Sequence, residues 1–171
     1  MSRAAVIGAS LFSLMLILVA CAGPAATPAS TPISNPKSSG PVKATWIEAK
    51  LVGDTISVPA KDVQNNIMSH FKLGTSAGEI AFMAYELDGK TYVRASICPP
   101  CQSDSFSLQK DTLVCDRCAT VFNAKTGSGI KGACVAFPKA SVSYETNGGD
   151  LVMKGNSLIT AYVDTLKPGR S

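Results

Sequence analysis

Two Cys-x-x-Cys knuckles, Cys98–Cys101 and Cys115–Cys118, stand thirteen residues apart in a chain of 171, and a further thiol follows at Cys134. Each pair curls the backbone so that both sulfurs face one point, which suits the four to a shared metal centre. A hairpin between the pairs would bring them together. Four thiolates hold a structural zinc or an iron–sulfur cluster, and a mononuclear iron is compatible with the same donors. Zinc ribbons often place Gly after the second Cys of a knuckle, where φ is positive. Gln102 and Ala119 stand there instead, which weighs towards iron–sulfur over zinc. Pro99 and Pro100 carry no N–H for the sulfurs of the first knuckle, which favours a low potential, near about −400 mV.

Cys134 has two readings: a buried thiol packing as a small hydrophobe, or an additional ligand beside the four. Gly132 would let its backbone approach closely, and the flexible segment Thr126-Gly-Ser-Gly129 precedes it. Two rival thiol chemistries carry less weight. A disulfide framework sits poorly with an odd cysteine count once Cys21 is set aside, and a Cys-x-x-Cys bridge closes too small a loop to restrain the chain. A thiol–disulfide exchange pair at Cys98-Pro-Pro-Cys101 should open a helix, whereas Gln102-Ser-Asp-Ser-Phe106 leads towards a hairpin.

His70 is the one histidine of the sequence. It is read as a surface or half-buried residue on a strand edge; the sharper alternative is a second, looser metal site shared with Met68 on the same strand face. Phe82, Tyr85, Tyr92, Phe106, Phe122, Phe137 and Tyr144 read as packing residues, some of them shielding the thiols from water. The net charge of +4 is mild and its basic residues are scattered, so nucleic-acid binding has no support. No Walker loop, no dinucleotide fingerprint and no paired acid–base groups appear. An electron carrier is expected rather than an enzyme with catalytic residues of its own.

The elements that would position the thiols are short strands of period two. Trp46–Leu51 and Thr55–Val58 flank Gly53-Asp54. Ile80–Tyr85 and Thr91–Ile97 flank Asp88-Gly89, a turn dipeptide tolerant of positive φ. Phe106–Leu108 and Thr112–Val114 flank Gln109-Lys110-Asp111, and Ser141–Thr146 and Asp150–Lys154 flank Asn147-Gly148-Gly149. Ser157–Val163 reads as a closing strand, and Lys61–Asn66 as one helical turn. The fold class is all-β: a single hairpin-built domain with Rieske-like or zinc-ribbon-like metal-binding loops. Each knuckle is expected at a strand tip, with the two tips facing one another.

The N-terminal residues read as a targeting segment. Arg3 precedes an apolar run that ends in Leu18-Val19-Ala20-Cys21, which resembles the lipobox of bacterial lipoproteins. Residues 1–20 are then a signal peptide, and Cys21 takes the lipid that anchors the chain outside the cytoplasm. Residues 21–43, rich in Ala, Pro, Ser and Thr, form a disordered tether, and 44–171 the metal-binding domain.

The stretch from Tyr92-Val-Arg-Ala-Ser-Ile-Cys98 through Cys101, Thr112-Leu-Val-Cys115-Asp-Arg-Cys118, Phe122 and Gly132-Ala-Cys134 resembles the FtrD-like membrane iron–sulfur domain. His70-Phe71, Ile80-Ala-Phe82 and the Asp88-Gly89 turn fit its pattern, so the resemblance spans about residues 45–160. It implies an iron–sulfur cofactor on the knuckle cysteines and a membrane partner in iron uptake or respiration. Gly132-Ala133-Cys134 departs from the family's Gly-Gly-Cys, and a lipid anchor stands where many members have transmembrane helices. A more distant resemblance to Rieske domains runs through Phe122-Asn-Ala-Lys-Thr-Gly127, Pro138, Ser141–Tyr144, Gly149 and Leu151–Met153. Rieske proteins place one His in each pair, so this likeness concerns the scaffold and not the ligands.

Overall fold

The computed structural model describes residues 40–169. The signal peptide, Cys21 and the tether up to residue 39 lie outside the described residues. In chain order the strands are β1 (Val42–Lys43), β2 (Thr45–Trp46), β3 (Lys50–Val52) and β4 (Thr55–Pro59). After helix α1 (Ala60–Asn66) come β5 (Met68–Thr75), β6 (Gly78–Leu87) and β7 (Lys90–Ala95). Then follow β8 (Phe106–Gln109), β9 (Thr112–Cys115), β10 (Val121–Asn123) and β11 (Gly129–Lys131). The last elements are β12 (Glu145–Asn147), β13 (Asp150–Lys154) and helix α2 (Gly155–Thr165). β1 pairs with β8, so regular pairing begins at Val42, within the last residues assigned to the tether.

The strands form three sheets, ordered β1-β8-β9-β10-β11, β12-β13-β4-β3 and β2-β5-β6-β7. The third separates two apolar cores. Phe71 and Leu73 of β5, Phe82 and Ala84 of β6, and Val93 and Ala95 of β7 pack with β4, β13 and both helices. The alternate residues Met68, Met83, Tyr85 and Leu87 pack with Phe106, Leu108, Leu113, Phe122 and the cysteines of the first sheet. Alternation sends successive side chains to opposite faces. A strand covered on both faces therefore reads as a continuous apolar run, as Ile80-Ala-Phe-Met-Ala-Tyr85 does.

The hairpin turns fall where the turn residues place them. Asp88 and Gly89 take φ of 52° and 72° between the paired Leu87 and Lys90. Gly148 and Gly149 take 59° and 90° between Asn147 and Asp150. Three local expectations change. Trp46–Leu51 is not one strand: β2 runs parallel to β5, and the chain then crosses to pair β3 with β4. Of Ser141–Thr146 only the end enters a strand, because Ser141 bridges Arg94 and the Val142 amide donates to Val93 O beside β7.

The third change is the closing strand Ser157–Val163, which is helical within α2. Its buried residues Gly155, Leu158, Ala161 and Thr165 recur at helical spacing. Ile159 and Val163, whose branched side chains suggest a strand, point outward. Burying Leu158 is worth about 1.5–3 kcal/mol, more than the few tenths that β-branched residues cost a helix. The fold is thus mostly β with two helices, the helices lying on the core away from the thiols.

Candidate metal centre

The two knuckles are built alike. The Cys98 amide donates to Ser103 O at 2.7 Å, and the Cys115 amide to Thr120 O at 2.9 Å, so each loop closes five residues on. Cys98 lies just past β7, Cys115 ends β9, and β8 and β9 form the hairpin between the pairs. Gln102 and Ala119, directly after each second Cys, both take φ of 54°. Both knuckles therefore adopt the left-handed turn without glycine, and the weight those residues lent against zinc falls away. The turn costs roughly 1–2 kcal/mol per non-glycine residue, offset by the loop's hydrogen bonds.

The Sγ atoms of Cys98, Cys101, Cys115 and Cys118 all lie within 4.8 Å of one another. Cys98 and Cys118 sulfurs are 3.8 Å apart, and those of Cys101 and Cys115 3.7 Å. Tetrahedral bonds of about 2.3 Å to one ion set sulfurs about 3.8 Å apart, so these four thiols could hold a metal. A disulfide needs about 2.05 Å, and the five described cysteines are free thiols. Cys98 and Cys115 are buried, whereas Cys101 and Cys118 are half-buried.

Cys134 adjoins the four: its Sγ is 3.7 Å from that of Cys118, and it is buried. Thr120 joins the two residues. Its hydroxyl oxygen accepts the Cys134 amide at 3.2 Å and lies 3.2 Å from Cys118 Sγ, so its proton is available to that sulfur. Gly132, with φ of 114°, packs so closely that a Cβ would stand 2.7 Å from Thr120. The close approach expected of Gly132 is therefore present.

The thiols differ electrostatically. Burial drives Cys98 up, assisted by its Cys134, Cys101 and Cys115 neighbours, while the charge of Lys139 opposes it. Burial also raises Cys115, against the amides of Cys118 and Arg117 that point at its sulfur. For Cys118 burial is outweighed by the hydroxyl and amide of Thr120 and by Cys115 and Cys101, bringing it down to about 6. Amide donors therefore serve the second knuckle, while Pro99 and Pro100 of the first have none to give.

Sequence reasoning passed over Lys139 and Arg94. Lys139 is fully buried, donates to Ile97 O at 2.6 Å, and sits 4.5 Å from the Phe122 ring centre and 5.5 Å from that of Phe106. Burial lowers its ammonium to about 8, against the upward pull of Cys98, Cys115, Cys134 and Cys101. Buried Arg94 donates to Tyr85 OH at 2.8 Å, Lys139 O at 2.7 Å and Lys125 O at 2.5 Å, tying β7 to the segment that carries Cys134. A cation in a sequence signals an exposed face by default; Arg94 stands within the stretch Tyr92–Cys98 but was given no role there, and Lys139 stands in no motif.

His70 is not at a strand edge. β5 is flanked by β2 and β6, and the ring is buried against Trp46, with Nε2 3.5 Å from Ser96 Oγ. Burial holds it at about 4, despite Asp104 and Asp116. Met68 shares its face and is also buried, but among the described residues the Cys, His, Asp and Glu side chains that gather as a metal-holding group are the four cysteines. Of the aromatic residues, Phe106 and Phe122 flank the thiols edge to face, with ring centres 6.1 Å apart.

No match is found among curated proteins. Among solved structures, a chain from the complex of reduced oxygenase and oxidised ferredoxin in carbazole 1,9a-dioxygenase superposes with a TM-score of 0.50 at 18% identity. The match covers 61% of this chain and 95% of that one. The ferredoxin of Sphingomonas yanoikuyae B1 gives a TM-score of 0.39 at 18% identity, covering 43% of this chain and 74% of its own. At such identity the first likeness concerns fold alone, and it agrees with the Rieske-like scaffold. Among the described residues no helix is long and apolar enough to cross a membrane. The family model described as "membrane iron-sulfur containing protein FtrD-like" matches residues 63–163, which include both knuckles, Cys134 and Lys139. With more than half of its length matched, the chain belongs to the FtrD-like family of membrane iron–sulfur proteins.

Proposed function

We propose that this protein is an iron–sulfur electron carrier whose centre is held by Cys98, Cys101, Cys115 and Cys118. The observation that carries the reading is the convergence of these four thiols within 4.8 Å in a chain of an iron–sulfur family. Bound there, such a group supplies a one-electron couple. The chain's own residues do the rest. Phe106 and Phe122 keep water from the inner sulfurs, and Thr120 and the amides of the second knuckle stabilise thiolate charge. The protein takes one electron from a reduced membrane redox or transport protein and passes it to an oxidised one, with no bond made or broken. Cys21 carries the lipid that keeps it at an extracytoplasmic membrane face, with the residues before β1 as the tether. Iron uptake or respiration is the setting suggested by family analogy.

A second reading has a specific observation behind it. Sulfur separations of 3.7 and 3.8 Å suit one four-coordinate ion, and both knuckles take the left-handed turn found in zinc ribbons. Zinc would then only hold the fold, and chelation would unfold it. Anaerobic purification followed by iron, acid-labile sulfide and zinc analysis decides. Iron with sulfide and a reversible visible spectrum is expected; zinc without iron, or thiols without metal, would end the carrier reading.

A further inference from the structure

Lys139 is the one lysine at 0% exposure among the buried residues, and its ammonium takes part in none of the ion pairs among the described residues. An ammonium offers three protons, and the structure gives one carbonyl and two ring faces to receive them. Sinking such a charge is costly unless an opposite charge answers it. Ile97 directly precedes Cys98, and the Phe106 and Phe122 rings under the ammonium pack in one core with Cys98, Cys115 and Cys134, so the groups at hand are thiols, which become anionic when they bind a metal.

The position is also built. The Lys139 amide donates to Gly127 O at 2.9 Å, its carbonyl accepts from Arg94, and the next amide, of Ala140, donates to Thr165 Oγ1 at 2.9 Å. A side chain on Gly127 would collide with the Lys139 carbonyl and with Arg94. The backbone is thus pinned on both sides of the lysine, and the carbonyl that accepts its ammonium belongs to Ile97, next to the first ligand.

We propose that Lys139 is the resident counter-cation of the four-thiolate metal centre, a positioning residue that retains the metal and raises the potential of an iron-loaded centre. Four thiolates around a divalent ion carry a formal charge of about −2, and one buried ammonium halves it. Net charge near a centre is one of the levers that set its potential. Lys139 therefore counters the low potential expected from Pro99 and Pro100. The inference rests on the reading of the four cysteines as metal ligands, but not on the metal being iron.

The experiment uses the full chain and three variants: Lys139→Met, Lys139→Gln and Lys139→Arg. Gln keeps a donor for Ile97 O and loses only the charge; Arg keeps the charge. Affinity for cobalt and for zinc, measured by chelator competition, should fall at least tenfold in Met and Gln and stay within threefold in Arg. In iron-loaded protein the redox equilibrium of Met and Gln should move at least tenfold towards the oxidised form, about 59 mV for one electron. Without metal, the Gln variant, which keeps a donor for Ile97 O, should be at least as stable as the wild type, since an unanswered buried charge has gone. Wild-type affinity in the Gln variant would overturn the proposal. So would a Gln variant that is less stable than wild type without metal, because Lys139 would then be a packing residue. If wild type binds zinc and never iron, the carrier reading fails, while the affinity comparison still decides the role of Lys139.

Discussion

Arg94→Met removes the fork that fastens β7 to the segment between Lys125 and Lys139. Its three acceptors are not equally exposed to the loss. Lys125 is exposed, so its carbonyl can turn to water, and the Tyr85 hydroxyl keeps its own bond to Ala124 O at 2.6 Å. Lys139 O belongs to a fully buried residue and has no such recourse. An orphaned buried carbonyl costs about 1–3 kcal/mol, and each remaining bond about 0.5–1.5 kcal/mol. Relief of the desolvated guanidinium returns part of this. A net loss of about 3 kcal/mol is expected, a large share of the roughly 5–15 kcal/mol that holds a domain of this size. Urea titration should show a lower midpoint with an unchanged slope. Hydrogen exchange should quicken between residues 125 and 139 by more than the common change that the global loss brings to the Cys98 and Cys115 amides. A loss under about 1 kcal/mol, or quickening no greater there than at the two knuckles, would refute the idea that Arg94 anchors this segment.

Two further predictions concern the scaffold. His70 sits near 4 in the fold against an ordinary 6.5, so the unfolded chain takes the proton first. Stability is then complete above pH 6.5 and drains as pH falls towards 4, by about 2.5 kcal/mol at pH 4.5. Urea unfolding at pH 7.5 and 4.5 measures it; parallel profiles for wild type and His70→Gln would dismiss the account. At Ala119, φ of 54° favours glycine, so Ala119→Gly should gain about 0.5 kcal/mol after the extra chain entropy, and Ala119→Val should lose more than about 1 kcal/mol. Thermal melts that order the two the other way would show that the turn has relaxed.

The knuckles and the hairpins between them were legible because their signals are local. Asp88-Gly89 and Asn147-Gly148-Gly149 carry their turn geometry in two or three residues, and Cys-x-x-Cys carries its own. What failed depends on partners distant in sequence. The helix at Gly155–Thr165 exists because Leu158 and Ala161 meet the core shared by β4 and β13, against the strand preference of Ile159 and Val163. His70 looked peripheral because nothing near it reveals that β2 arrives in parallel on its far side. Gln102 and Ala119 were judged by type, while the hydrogen bonds of the loop decided their conformation. Lys139 was passed over for the same reason: its rings and carbonyl come from three other segments.

The first cysteine of each knuckle is buried and the second only half so. Phe106, Phe122 and Lys139 close off one flank of the sulfur cage, and the other opens on Cys101 and Cys118. Traffic with the outside is therefore one-sided. Oxidant and chelator meet the same two sulfurs first, and in the proposed carrier the doorway for an electron would also be where damage begins.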